Sequence, residues 1–163
     1  MLFTRNGKKI HELCWKDFIE DFRVLQGKLE RCRYYQHKRG KPRFTHIVGI
    51  ERGGLIPAVM LSHFLKLPLI TCRPDLLPIL VQGILSGERY LFVDDLVDTG
   101  KTLKVVQDHR EAIAVVYWKK RSKVIPDFYG REMPNTWIKF PYETEDRWDT
   151  GRGIEVPFGV SGR

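Results

Sequence analysis

Three aspartates, Asp94, Asp95 and Asp98, directly follow the apolar run Tyr90–Val93 and directly precede Thr99-Gly100-Lys101-Thr102. Clustered carboxylates at a strand end accept hydrogen bonds from ribose hydroxyls, directly or through Mg2+. A glycine between hydroxyl-bearing residues at a helix start offers a phosphate both backbone N–H groups and side-chain donors. The two features side by side suit a ribose phosphate. An ordinary capped helix whose acids complement the dipole is the plainer reading, but three aspartates packed this closely at a strand end speak against it. The stretch also ends in Gly-Lys-Thr, as the Walker phosphate loop does. That loop needs glycine at the position of Asp95, so a nucleoside-triphosphatase loop is excluded.

A second loop, Glu51-Arg52-Gly53-Gly54, follows another apolar run, Phe44–Ile50. Ligands of open α/β sheets bind beyond the carboxyl ends of the strands, so both loops are expected to face one crevice.

Elements to position these loops are written in the periodicity. Trp15, Phe18, Ile19, Phe22, Leu25 and Leu29 repeat at three and four, which predicts a helix from Trp15 to Arg33. The segments 44–50, 69–72, 90–93 and 112–118 read as strands, with helices over 55–65 and from Thr102 through Arg110. Pro57 is tolerable in its helix's first turn, whereas 73–88 is too broken by proline to assign. The order α-β-α-β-loop-β-α-β, with nearly continuous apolar strands, predicts an α/β fold: a single domain over 1–163 whose mainly parallel sheet is flanked by helices.

Among the 163 residues 42% are hydrophobic and 29% charged, with no apolar run long enough to span a bilayer, so no membrane span is expected. Without a signal-peptide pattern at the N-terminus, the expected location is cytoplasmic. Cys14, Cys32 and Cys72 lie far apart and form no C-x-x-C pair, which supports neither a disulfide framework nor a zinc site. Positive charge concentrates at the front: residues 1–43 hold 12 Lys/Arg against 5 Asp/Glu. There Arg31, Arg33, Tyr34, Tyr35, Lys38, Arg39, Lys41 and Arg43 interleave rings and cations, as a single-strand nucleic-acid surface does. A solvated face is the favoured reading, and nucleic acid the alternative.

At YLFVDDLVDTGKTL the sequence resembles the type I phosphoribosyltransferases. HIVGIERGGLIPAVMLSHFL, PDFYGREMPNTWIKFPYE and VPFGVSGR are similar to the xanthine-guanine, 6-oxopurine branch. The resemblance implies transfer of the phosphoribosyl group of phosphoribosyl pyrophosphate to guanine, xanthine or hypoxanthine. It assigns Asp94 and Asp95 to the ribose hydroxyls and Mg2+, and Asp98 to the imidazole side of the purine as catalytic acid or base. Thr99, Gly100, Lys101 and Thr102 fall on the 5′-phosphate, and Arg52 and Gly53 on the pyrophosphate, in a loop where the family has a non-proline cis peptide. Lys119 falls on the 6-oxo group, Trp137 on the purine face, and Ile138 beside it. A core over about 44–120, a base-binding hood over about 121–163 with an N-terminal contribution, and a homo-dimer or homo-tetramer are also implied. The family's long mobile loop, which falls between the strands 69–72 and 90–93, is here a shorter, largely apolar segment. A regulator of the same fold that binds phosphoribosyl pyrophosphate and nucleic acid is the alternative function.

Overall fold

The computed structural model describes residues 1–5, 8–37, 44–85 and 87–143. In chain order these form β1 (Leu2–Arg5), β2 (Lys8–Glu12), α1 (Trp15–His37), β3 (His46–Ile50), α2 (Leu55–Leu65) and β4 (Leu69–Cys72). A 3-10 turn (Pro74–Leu76), α3 (Leu77–Gln82), β5 (Tyr90–Val97) and α4 (Lys104–Asp108) follow, and then β6 (Ala112–Trp118), β7 (Phe128–Glu132) and β8 (Trp137–Lys139). Five strands pair in the order β4-β3-β5-β6-β7, every pairing parallel, which is the α/β sheet expected from the apolar runs.

Because successive residues of a strand face opposite sides, each run feeds two cores. Ile47, Leu91, Val93, Ala114 and Val116 meet Phe18, Phe22 and Leu25 of α1 and Ala58 and Leu61 of α2. On the other face Val48, Ile50, Phe92, Ile113 and Val115 meet Leu77 and Val81 of α3 and Val106 of α4. α1 is further tied to β7: the buried Asp21 pairs with Arg131 at 2.8 Å, and Lys28 Nζ donates to the Tyr129 carbonyl at 2.6 Å. The α1 periodicity therefore has an energetic consequence. Phe22 is 1% exposed, and Phe22→Ala is expected to cost about 3–5 kcal/mol. Val24, on the solvent side of the same helix, changes stability by less than about 0.5 kcal/mol when truncated to alanine. Urea unfolding of the two variants checks the contrast.

Several boundaries differ from the sequence reading. β5 continues to Val97, so Asp94 and Asp95 lie within the strand, where Asp94, Leu96 and Val97 pair with β6. α1 runs to His37 rather than Arg33, and α4 is confined to Lys104–Asp108. The unassigned stretch 73–88 contains a 3-10 turn and α3, with Pro74 and Pro78 each in a first turn, where proline is tolerated. Leu77 and Val81 are buried one helical turn apart, so this segment is anchored in the core. Phe128–Glu132, which the resemblance places in the hood, is the edge strand of the main sheet. Phe128 packs edge-on against Phe44 there. A separate small sheet, β1-β2-β8, joins the N-terminal hairpin to Trp137–Lys139, with Ile10 opposite Trp137.

Candidate active site

The chain leaves β3 toward β4 on one side and leaves β5 toward β6 on the other, so a crevice opens between the carboxyl ends of β3 and β5. The loop after β3 enters it with a cis Glu51–Arg52 peptide and an exposed Arg52. Glu51 N donates to the Cys72 carbonyl at 3.0 Å, fixing the loop to the end of β4. The next two residues abut β5. A Cβ on Gly53 would lie 2.0 Å from Asp95 Oδ2, and one on Gly54 would lie 2.6 Å from the carbonyl oxygens of Ile50 and Val93. Only glycine lets the two loops touch.

Asp94 and Asp95 are half-buried at this seam. Asp95 N donates to Asp94 Oδ1 at 2.9 Å, and the Tyr142 hydroxyl donates to Asp95 Oδ2 at 2.5 Å. Burial, and then the neighbouring Asp95 charge, push the Asp94 carboxyl well above the ordinary range. Burial also raises Asp95, against the hydrogen bond from Tyr142. Two such carboxylates attract positive charge. No group of three or more His, Cys, Asp or Glu able to hold a metal ion occurs among the described residues. A pair of aspartates fits Mg2+ that arrives with a polyphosphate, since that ion keeps substrate and water oxygens and takes only one or two carboxylates.

Beyond β5, residues 99–103 turn rather than coil into a helix. Gly100, at φ +81°, interrupts helical geometry, and α4 begins only at Lys104. The expected helix N-terminus is thus a backbone turn, with Thr99, Lys101 and Thr102 exposed and Gly100 buried. A Cβ on Gly100 would lie 2.6 Å from Ser122 Oγ, and Lys123 N donates to the Thr99 carbonyl at 3.2 Å. The turn therefore rests on the segment after β6.

That segment opens the second half of the site, a cleft of about 510 Å³ lined by Lys9, Asp98, Lys119, Arg121, Asn135, Thr136 and Trp137. Lys119 is 2% exposed. Its Nζ donates to the Thr136 carbonyl at 2.7 Å and lies 3.2 Å from Asp98 Oδ2. Arg121 holds the other oxygen: its Nε donates to Asp98 Oδ1 at 2.7 Å, and Nη2 reaches the same atom. Burial raises the Asp98 carboxyl, but the bonds and charges of Arg121 and Lys119 outweigh it and hold the group below its ordinary value. Asp98 is accordingly a fixed acceptor.

Trp137 is 63% exposed, so its indole is a cleft wall rather than core. Ile138 is buried and does not line the cleft. Lys9, Arg121, Asn135 and Tyr142 were not singled out from sequence. Arg121 lies in the basic run Lys119-Lys120-Arg121, and Lys9 reaches the site only through the β2–β8 pairing. Of the basic front, Lys38–Arg43 and the side chains of Arg33–Tyr35 lie outside the described residues, as does the C-terminal VPFGVSGR. No helix among the described residues is long and apolar enough to cross a membrane.

No protein-family profile matches the chain. It is 32% identical over 148 residues to the xanthine-guanine phosphoribosyltransferase of Gluconobacter oxydans, covering 80% of this chain and 82% of that protein. Against the enzyme of the same name from Idiomarina loihiensis it is 31% identical over 140 residues, covering 76% of this chain and 87% of that one. The crystal structure of a purine phosphoribosyltransferase from Pyrococcus horikoshii superposes with a TM-score of 0.65 at 32% identity, over 83% of this chain and 94% of that one.

Proposed function

Because the chain belongs to the xanthine-guanine phosphoribosyltransferase family, we propose that it transfers the phosphoribosyl group of phosphoribosyl pyrophosphate to a 6-oxopurine, releasing pyrophosphate and a nucleoside 5′-monophosphate. The observation that carries this reading is the meeting of Asp98, Lys119 and Trp137 in one cleft at the end of the strand that carries the acidic pair.

In the reaction a purine ring nitrogen forms the new bond to the anomeric carbon while the bond from that carbon to the pyrophosphate oxygen breaks, and the nitrogen's proton passes to the Asp98 carboxylate. Positive charge develops on the ribose. Asp94 and Asp95 stabilise it and accept from the ribose hydroxyls. Thr99–Thr102 hold the 5′-phosphate through the turn's N–H groups and hydroxyls, and Arg52 meets the leaving pyrophosphate. Mg2+, when bound with the substrate, adds charge neutralisation of the pyrophosphate. Lys119 donates to the 6-oxo oxygen, and Asp98 orients both cations around it. A pyrophosphate-release assay with guanine, xanthine and hypoxanthine tests the reading; absence of release with all three overturns it.

Stacking on Trp137 gives the base a further about 1–3 kcal/mol. Trp137→Leu is therefore expected to weaken guanosine monophosphate binding by about tenfold or more. It should also abolish most of the ligand-induced quench of tryptophan fluorescence. Undiminished binding by a folded variant refutes the stacking role.

A further inference from the structure

We infer that Lys9 and Arg121 make this cleft select its base as an anion, so that among the 6-oxopurines it takes xanthine, the most acidic of them, in preference to guanine. The inference rests on the purine phosphoribosyltransferase reading of the site and concerns Lys9, which that reading leaves without a role, and Arg121, which it only places beside Asp98.

Charge is the first support. The cleft gathers one cation from β2, Lys9, one carboxylate from the end of β5, Asp98, and two cations from the end of β6, Lys119 and Arg121. Its remaining walls, Asn135, Thr136 and Trp137, are neutral. Three positive charges thus face one negative charge, and that one is already engaged on both of its oxygens. In a partly enclosed cleft the surplus is less screened than on an open surface.

Donor counting gives the second support. An ammonium has three N–H donors and a guanidinium five. Lys119 commits one to the Thr136 carbonyl and directs another at Asp98, which leaves one. Arg121 commits two to Asp98 Oδ1, which leaves three. The Lys9 side chain is exposed and carries no hydrogen bond or ion pair among the described residues. Among the charged side chains of the cleft the groups left over are therefore donors. Guanine adds an amino group and a ring N–H to a wall that already donates. Xanthine replaces that amino group with a second oxo group, and it loses a ring proton near neutral pH, turning a further donor into an acceptor. The cleft so built favours the ionised dioxopurine.

The test is calorimetric titration of the full chain with xanthosine and guanosine 5′-monophosphates. It is run in mildly acidic and mildly alkaline buffer, over which the xanthine ring loses its proton, for the parent, Lys9→Gln and Arg121→Gln. The parent's preference for the xanthine nucleotide should grow about tenfold with pH, and each variant should lose about tenfold of it in alkaline buffer. A preference flat with pH overturns the inference. So does a parallel loss of both nucleotides in the variants, which would make the two cations phosphate contacts instead. Lys9 is exposed and Arg121 half-exposed, and melting curves confirm that the variants are folded. Turnover is followed beside binding. No pyrophosphate release from any base, together with the expected binding ratios, would remove the proposed reaction and leave this inference standing.

Discussion

Asparagine at both Asp94 and Asp95 will lower purine turnover by about 10²–10³-fold while raising the thermal stability of the ligand-free protein. The two effects share one cause. Both carboxyls are held above their ordinary values by burial, and Asp94 also by the Asp95 charge. A carboxyl whose folded pKa exceeds its unfolded one, about 3.9 for aspartate, binds more protons folded than unfolded between the two values. Stability therefore falls as pH rises through that window and stays lower above it. Neutral amides remove this penalty and with it the negative field that a developing ribosyl cation and a Mg2+-bound polyphosphate require. Pyrophosphate release at saturating Mg2+ measures the loss. Melting curves at about pH 4 and about pH 7.5 measure the gain, which is confined to the higher pH. Turnover kept within tenfold of the parent, or a lower melting temperature at the higher pH, would contradict this account.

Lys119→Met is expected to lower kcat/KM for guanine by about 10²-fold and to erase most of the preference for 6-oxopurines over adenine. The ammonium has only donors, so it suits a carbonyl oxygen and opposes adenine's amino group. Its burial makes the mismatch costly, since water cannot replace the missing partner. Methionine fills similar volume, which limits damage to packing. It nevertheless leaves the Thr136 carbonyl without its donor, next to Trp137. Binding of phosphoribosyl pyrophosphate should change little, because the phosphate turn follows β5 whereas Lys119 follows β6. Adenine emerging as the better substrate of the parent, or a full 6-oxopurine preference in the variant, would refute the assignment.

The core was legible where one periodicity ruled. The α1 stripe and the apolar runs of β3, β5 and β6 each admit one reading, because burial on both faces keeps those runs nearly free of polar residues. Ends were harder. Tyr90–Val93 looks complete, yet pairing with β6 carries β5 through Asp94 and Asp95 to Val97, a tertiary contact that local propensity does not encode. The β1–β2 hairpin was missed because Lys8-Lys9-Ile10-His11-Glu12 is mostly polar. Its signal was the Asn6-Gly7 dipeptide, a strong hairpin cue in any sequence. Missing the hairpin meant missing Lys9. Arg121 was visible, but its pairing with Asp98 joins residues on two different strand ends, and no spacing along the chain announces it.

The contact between Gly53 and Asp95 also bears on how this scaffold can be diversified. A single methyl group at position 53 would have to displace a carboxylate contributed by another strand, and one at position 54 would have to part the main chains of β3 and β5. The loop Glu51–Gly54 and the acidic pair therefore form one heritable unit although about forty residues separate them. A library randomised over 51–54 alone will return the two glycines at nearly every active clone. A side chain at position 53 will be reached only when positions 53 and 95 are varied together.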